Sequence, residues 1–430
     1  MTALAWLSLA VFLGAYALIA TERIHRVAAA LGGAAIMLLI QATDSKAAFF
    51  SDHTGIDWNV VFLLLGMMII VGVLKQTGVF EYLAIWAAKR ARGKPYRLMV
   101  LLIVITASAS ALLDNVTTVL LIAPVTFLVC SRLALPVAPY VIAEAMASNI
   151  GGAATLVGDP PNIIIASRGG LTFNDFLVHM APMIILLLVV FLGLCRIIFR
   201  KSFHYDPKRA AEIMQLNERE AVADRRLLWQ SLAVLGLVLA AFVLHPVLHY
   251  EPSVVAILGA GILVALTKVT TEQAIAEVEW PTLVFFAGLF IMVGALVETG
   301  VIGQVSQMAV NATRGELALT TMVLLWASAG LSAIVDNIPY VATMSPITAD
   351  LVQANGGNEH AQVLWWALTY GADLGGNATA IGAAANVVIL GIAARNRQPI
   401  SFWEFTKYGL IVTPVTIALV TPYLWLRYLL

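Results

Sequence analysis

The sequence predicts an all-α polytopic membrane protein made of two inverted-topology repeats, each with a re-entrant helical hairpin and a broken transmembrane helix. Three observations lead to this prediction: a strongly apolar composition, a long segment that occurs twice, and an odd number of predicted membrane crossings between the two copies. The repeated segment begins at Trp58 and again at Trp280, 222 residues later. Inverted repeats are typical of secondary transporters, whose substrate sites lie between the copies.

The composition excludes a soluble globular domain. Of 430 residues, 60% are hydrophobic and 12% are charged, and the mean hydropathy is +0.90, which leaves too few polar residues to cover a water-exposed surface. The formal net charge of +0 provides no basic surface for nucleic acid. Cys130 and Cys195 lie in apolar runs, so we expect neither a disulfide framework nor a metal site. No cofactor or phosphate-loop motif is apparent, and a membrane enzyme is the least favoured class.

The two copies keep register over a long distance. Without a gap, Gly78 aligns with Gly300 and Ser110 with Ser332. After two inserted residues the match resumes, with Gly158 on Gly382. We therefore expect one membrane domain in two halves, 1–200 with its core at 58–168 and 228–430 with its core at 280–395, joined by a cytoplasmic linker at 201–227.

The apolar runs predict full spans, since about twenty residues cross the hydrocarbon layer. These runs are 3–20, 26–41, 58–74, 179–200, 228–247, 252–267, 280–297 and 408–427. Residues 97–131 and 317–353 each predict a hairpin, and 138–168 and 361–395 each predict one span broken by a Gly-rich stretch. Five crossings then separate Trp58 from Trp280, and an odd number gives the repeats opposite topology.

The basic residues orient this layout. Of the 25 Lys and Arg residues, 21 fall on one side, including Arg23 and Arg26 after the first span. By the positive-inside rule that side is cytoplasmic, which leaves both termini outside. We expect a multi-pass protein of the cell (inner) membrane, with the first hairpin entering from the cytoplasm and the second from outside.

Polar residues mark the tip of each predicted hairpin. Asp114, Asn115 and Thr117 lie at the first tip, and Asp336 and Asn337 lie at the second. If the hairpins are re-entrant, these residues lie near the bilayer midplane, where ionisable groups are costly and usually functional. If the hairpins cross fully, the same residues are solvated turns. We expect Asp114 and Asp336 to be buried, with desolvation favouring the neutral acid, and at least one of them to carry coupling protons. Asn115, Thr117 and Asn337 are candidate substrate-binding residues.

The broken spans carry the second set of candidates. Unwound backbone at membrane depth is tolerated only where it lines a cavity or is buried in protein, and its free groups can hold an ion or a polar solute. The alternative is a flexible kink without ligand contact. Candidate proton-coupling residues here are Asp159, Asp373 and, one turn before the first break, Glu144. Candidate substrate-binding residues are Asn149, Gly151, Gly152, Thr155, Asn162, Gly375, Gly376, Asn377, Thr379 and Asn386.

These segments resemble a known family. Residues 113–118, 151–155, 158–162 and 336–339 are similar to segments of the arsenite permease and P-protein branch of the ion transporter superfamily. The resemblance implies inverted repeats that meet at a central site, and secondary transport, often efflux coupled to protons. It covers arsenite exporters and relatives of sodium/proton antiporters, and it leaves open a soluble ATPase partner. Sodium-coupled dicarboxylate members carry Ser-Asn-Thr at the hairpin tips, where this chain has Asp-Asn.

The side chains of the predicted core favour arsenite, and probably antimonite, as the substrate. Arsenite at neutral pH is mostly an uncharged trihydroxide, which the Asn and Thr side chains can hydrogen-bond. A thiolate site needs more than two cysteines, and the proposed core has no Lys or Arg for a dianion. The same carboxylates could hold sodium, so a sodium/proton antiporter is the alternative reading, and an ion channel ranks below it.

The charge bias predicts the sidedness of three positions. In a variant with Cys130 and Cys195 removed, single cysteines at Ser45 and Leu430 should react with an impermeant thiol reagent added outside intact cells. A cysteine at Gln215 should react only in everted vesicles, because the linker faces the cytoplasm. Labelling of Gln215 from outside, or of the other two positions from opposite faces, would overturn the orientation.

Overall fold

The computed structural model describes residues 2–21, 24–215 and 217–430, and within them every regular element is helical. Arg23, one of the basic residues used to orient the chain, lies outside the described residues. The predicted all-helical membrane fold is confirmed. Seven helices among the described residues are long and apolar enough to cross a membrane, and an eighth is obtained if one bent helix pair forms a single span.

The first half contains eleven helices. They are α1 Ala3–Ala20, α2 Arg26–Leu39, α3 Ser45–Phe50, α4 Trp58–Lys75, α5 Val79–Arg90, α6 Pro95–Ser110, α7 Asn115–Leu133, α8 Val137–Gly152, α9 Pro160–Gly169, α10 Phe173–His179 and α11 Ala181–Ile198. The 201–227 segment carries one short helix, α12 Pro207–Ile213, and a 3₁₀ turn at Glu218–Ala221. It joins the halves without forming a further bundle of helices among its described residues.

The second half repeats this order. Its helices are α13 Arg225–Val243, α14 His245–Leu248, α15 Pro252–Leu266, α16 Thr271–Ala276, α17 Trp280–Glu298, α18 Val301–Ala312, α19 Leu317–Ser332, α20 Asn337–Ala354, α21 Val363–Gly375, α22 Ala384–Arg395 and α23 Phe402–Leu424. Helices α18 and α19 are bent against each other by 117°. Two of the eight predicted full spans are short, because α2 has 14 residues and α15 has 15.

The repeat is visible in the backbone as well as in the sequence. Gly78 and Gly300 precede α5 and α18 with φ of 77° and 76°, and Gly93 and Gly315 precede α6 and α19 with φ of 66° each. A side chain would strain these left-handed positions, so glycine is favoured there. Helices α1 and α13 also start 222 residues apart. The repeat therefore extends upstream of Trp58, where interchangeable apolar residues conceal it in the sequence.

The two halves exchange helices. Helix α2 packs on α17 of the second half, and α15 packs on α4 of the first half. Glycines allow both contacts: a Cβ on Gly66 would lie 2.6 Å from the Ala256 carbonyl carbon, and one on Gly288 would lie 2.9 Å from that of Ala30. Such close backbone approach is the usual way for helices to associate in a membrane.

The two predicted hairpins and the two broken helices form at the expected places. Helices α6 and α7 flank the tip at Asp114, and α19 and α20 flank the tip at Asp336. Helix α8 ends at Gly152 and α9 starts at Pro160, where proline fits the first helical turn. Each break folds back tightly, because a Cβ on Gly158 would lie 2.5 Å from the Gly152 oxygen and one on Gly382 would lie 2.7 Å from the Gly376 oxygen.

The contact between α6 and α8 generates a stability prediction. Gly151→Ala would place a Cβ 2.2 Å from the Ala107 carbonyl oxygen, so the helices must separate and the detergent-solubilised protein should lose thermal stability. Gly193→Ala in α11 is the matched control, since nothing lies within 4 Å of its added Cβ and alanine favours helix by about 1 kcal/mol. Equal melting temperatures for the two variants would contradict this packing.

Candidate functional site

The hairpin tips and the helix breaks meet at one buried group of amides and carboxylates. At the first tip, the Asn115 Nδ2 donates hydrogen bonds to Asn149 Oδ1 (3.2 Å) and to Asp159 Oδ2 (2.8 Å). At the second tip, the Asn337 Nδ2 donates to the same Asp159 oxygen at 3.3 Å. Asp159, at the N-cap of α9, thus connects both hairpins to the first break.

A second set of bonds joins the two breaks. The Asn149 Nδ2 donates to Asn377 Oδ1 (2.9 Å) and to Asn386 Oδ1 (3.1 Å), across the boundary between the repeats. We call this group the central polar cluster. Its members are all buried, and they are Asn115, Asn149, Asp159, Asn162, Asn337, Asp373, Asn377 and Asn386.

Several predicted substrate-binding residues hold the breaks together. The Asn162 Nδ2 donates to the carbonyl oxygens of Gly152 (3.2 Å) and Thr155 (2.9 Å). In the second repeat the Asn386 Nδ2 donates in the same way to Gly376 (2.8 Å) and Thr379 (2.9 Å). Free carbonyls are costly away from water, so these two amides stabilise the unwound segments.

Two threonines fasten the breaks to the hairpins. The Thr155 hydroxyl donates to the Ala111 carbonyl and the Thr379 hydroxyl to the Ala333 carbonyl, both at 2.5 Å. The predicted glycines act through close packing, since a Cβ on Gly375 would lie 2.6 Å from the Ala329 oxygen. Thr155, Thr379 and the glycines at 151, 152, 375 and 376 thus shape the site through the backbone.

Some buried atoms of the cluster lack hydrogen-bond partners. They are Asp159 Oδ1, Asn162 Oδ1, both carboxylate oxygens of Asp373, and Asn377 Nδ2. Buried polar atoms are nearly always paired, so unpaired ones in one place indicate a functional site. Among the described residues, no Lys, Arg or His belongs to the buried polar set that contains Asp159 and Asp373. The cluster therefore presents oxygen acceptors and amides to a bound species.

The hairpin aspartates differ from the expectation. Asp114 and Asp336 are half-buried rather than buried, and each caps its helix. The Asp114 Oδ1 accepts from the Thr117 backbone N–H at 2.7 Å, and the Asp336 Oδ1 accepts from that of Ile338 at 3.2 Å. The fully buried carboxylates of the site are instead Asp159 and Asp373, with exposed fractions of 1% and 0%. The half-buried Thr117 contributes its backbone to the first cap.

Glu144 lies apart from the cluster. It is buried in α8, and its Oε1 accepts a hydrogen bond of 2.5 Å from the Thr126 hydroxyl. Ser148, in contrast, was not among the predicted site residues, yet its hydroxyl donates to the Asn115 carbonyl at 3.0 Å. Its sequence signal is a small polar residue directly before Asn149, at the start of the break.

Two cavities lie near the site, and they differ in whether they reach the hairpin tips. The larger, of about 530 Å³, is lined by His25 and Arg26 at the start of α2, by Val116 near the first hairpin tip and by Asp336 at the second. The other, of about 270 Å³, is lined by Asn59, Ser167, His245 and Glu251, with no hairpin-tip residue among its described lining. Only the larger cavity reaches both tips.

Inverted repeats, paired hairpins and helix breaks around a buried polar site define a membrane transporter. The comparison with protein families agrees: residues 16–371 match the CitMHS family, described as citrate transporters. The chain belongs to this family. It is a transporter rather than an enzyme.

Related proteins carry similar descriptions. An uncharacterized transporter of Mycobacterium tuberculosis is 57% identical over 97% of both chains, and a 46 kDa membrane protein of Mycobacterium leprae is 56% identical over 98% of this chain and 99% of its own length. The P protein of Homo sapiens is 34% identical over 93% of this chain and 57% of its own. The similarity to P proteins read from the sequence is thus confirmed.

A solved structure shares the fold. The YdaH transporter of Alcanivorax borkumensis superposes with a TM-score of 0.58, covering 85% of this chain and 84% of its own, at 16% identity. At this identity the similarity concerns architecture alone.

Bracing of the breaks predicts an effect on stability that can be measured without a transport assay. Asn162→Ala removes the donor to two buried carbonyls, and each unpaired group costs about 1–3 kcal/mol, so the melting temperature in detergent should fall. Asn311→Ala, at an exposed position at the end of α18, is the control and should melt like the parent protein. An Asn162→Ala protein as stable as the control would show that the brace contributes nothing to stability.

Proposed function

We propose that this chain is a proton-coupled secondary transporter that exports arsenite, and antimonite, from the cytoplasm through the cell membrane. The observation that carries the proposal is the central polar cluster, in which amides and two buried carboxylates lie between the repeats, with no buried cationic side chain among the residues that the structure describes. Amides both donate and accept hydrogen bonds, which suits a small neutral trihydroxide. The carboxylates supply groups that can take up and release a proton.

The residues divide into three roles in this proposal. Asn115, Asn149, Asn337 and Asn377 offer amide groups at the meeting point of the hairpins and breaks. Asp159 and Asp373 are the buried carboxylates for coupling, with Asp114 and Asp336 at the tips and Glu144 in α8 as further proton carriers. Thr155, Asn162, Thr379 and Asn386 hold the breaks in shape.

The cavity of about 530 Å³ supplies the entry route in this proposal. His25 and Arg26 belong to the basic side of the chain, which the positive-inside rule assigns to the cytoplasm. The cavity then opens inward and reaches both hairpin tips, while the smaller cavity on the opposite side stops short of them. An inward-facing state with this access accepts a substrate from the cytoplasm.

Citrate is the second candidate substrate, because the matching family is described as citrate transporters and Arg26 lines the larger cavity. A multiply charged anion buried among carboxylates lacks a counter-charge and is strongly disfavoured. Citrate therefore ranks below a neutral solute unless a cation accompanies it. Sodium/proton exchange ranks third, since buried carboxylate and carbonyl oxygens also suit sodium.

The substrate is tested by uptake into everted vesicles with an imposed pH gradient. With an acidic lumen, we expect vesicles that contain the protein to accumulate arsenite and antimonite, and a protonophore should abolish this uptake. Citrate and sodium serve as the competing substrates in parallel samples. Proton-driven uptake of citrate or sodium without arsenite uptake would replace the proposed substrate by the corresponding alternative.

The thiols provide a separate control on the chemistry of recognition. Cys130 and Cys195 are buried and unpaired, and the central polar cluster does not include them. Cys130→Ala with Cys195→Ala should leave arsenite uptake within about twofold of the parent, since hydrogen bonds rather than thiolates hold the substrate. Loss of uptake in the double variant would indicate a thiol-based site.

A further inference from the structure

The two repeats use different residues at one equivalent position in their breaks. Asn149 in the first repeat corresponds to Asp373 in the second, and their partners Asn386 and Asn162 also correspond, each 224 residues apart. The Asn149 Nδ2 donates to Asn386 Oδ1 at 3.1 Å. The repeat symmetry therefore pairs Asp373 with Asn162, as Asn149 is paired with Asn386.

The orientation of the Asn162 amide is determined by its other contacts. Its Nδ2 donates to the carbonyls of Gly152 and Thr155, as that of Asn386 does to Gly376 and Thr379. A reversed amide would set its oxygen against two carbonyl oxygens. Asn162 Oδ1 can therefore only accept a hydrogen bond, and it has no partner in the structure.

An ionised Asp373 cannot satisfy this acceptor. A carboxylate has no donor, so three buried oxygens would face one another unpaired, each at a cost of about 1–3 kcal/mol. A protonated carboxyl group has one O–H, which replaces the N–H that Asn149 supplies in the first repeat. Asp159 differs, because its Oδ2 already accepts from Asn115 and Asn337, so its contacts require no proton on the carboxylate.

We propose that Asp373 binds the transported proton and donates it in a hydrogen bond to Asn162 Oδ1, while Asp159 remains the ionised carboxylate of the cluster. This assignment rests on the proposed proton coupling and specifies which of the two buried acids carries the proton. Releasing the proton leaves Asp373 facing Asn162 Oδ1 without a donor. The deprotonated state therefore favours rearrangement of the second break or entry of a polar substrate with hydroxyl donors.

The charged surroundings of Asp373 are acidic. Asp159 on the facing break is its ionisable neighbour, and Asp336 and Asp114 at the hairpin tips act on Asp159. Among the described residues, no basic side chain acts on either buried acid. Sodium would compete for the same oxygens. Asn149 donates to two acceptors, Asn386 and Asn377, but the counterpart of Asn377 is Ala153. One acceptor therefore remains for Asp373, which matches a single O–H group rather than a multiply ligated ion.

The protonation is tested by infrared difference spectroscopy on the purified full-length protein at neutral pH. We expect a carbonyl-stretch band of a buried protonated carboxyl group that disappears in Asp373→Asn and remains in Asp159→Asn. Asp373→Asn should fold, because Asn149 already occupies the equivalent place. An unchanged band in Asp373→Asn overturns the assignment, and so does loss of the band when sodium replaces potassium in the buffer.

A reciprocal variant tests the donor–acceptor reasoning without removing Asp373. Asn386 Oδ1 is also held as an acceptor, so Asn149→Asp should add a second protonated carboxyl band. An added carboxylate signal in place of that band would overturn the proposal. These spectra do not depend on the substrate. If both spectral results are obtained but arsenite uptake fails, the proposed substrate is wrong and the assignment of the proton to Asp373 is retained.

The assignment also predicts a transport phenotype. Asp373→Asn should reduce pH-driven uptake by about tenfold or more and remove its dependence on luminal pH, since the amide cannot release a proton. Asp350→Asn, at an exposed carboxyl on α20, is the control and should keep the parent pH profile. A parent-like pH profile in Asp373→Asn would assign the proton to another residue.

Discussion

The structure depends on side-chain hydrogen bonds that hold unwound backbone buried away from water. Each broken helix frees carbonyl groups that only an internal donor can satisfy. Asn162 and Asn386 supply that donor in the two repeats, with matching contacts to a glycine and a threonine carbonyl. Within each break two glycines lie close together, and a threonine hydroxyl bonds to the adjoining hairpin. Both features meet the same requirement, because a looser turn would leave these carbonyl groups unpaired.

The fold requires symmetry, whereas the site departs from it. The order of the core helices, the left-handed glycines and the braces match between repeats. The buried acids do not match: the residue equivalent to Asp373 is Asn149, and the residue equivalent to Asp159 is Ala383. Each break therefore carries one buried acid, but the two acids occupy different positions along the repeat. The cluster thus contains two carboxylates in unlike environments. Unlike environments are what separates the roles of two ionisable groups.

Sequence patterns predicted the hairpin tips and breaks that meet at the central polar cluster, but not the contacts of the individual side chains. The hairpin tips and breaks were predicted because polar and glycine residues interrupt long apolar runs twice in the same order. That Asn162 and Asn386 brace backbone, or that Asp114 and Asp336 are half-buried caps, was not predictable. A polar residue in an apolar run looks the same in sequence whether its partner is a carbonyl of its own segment or a ligand.

The sequence by itself determined the class of protein, the two copies and their order, because hydropathy and repetition are properties of the chain read in one dimension. Only the tertiary structure decided that α2 and α15 are exchanged between the halves, that Asp159 connects both hairpins, and that Asn149 contacts Asn377 and Asn386. These contacts join residues that are far apart in the chain, and their distances depend on how two repeats of opposite orientation pack together.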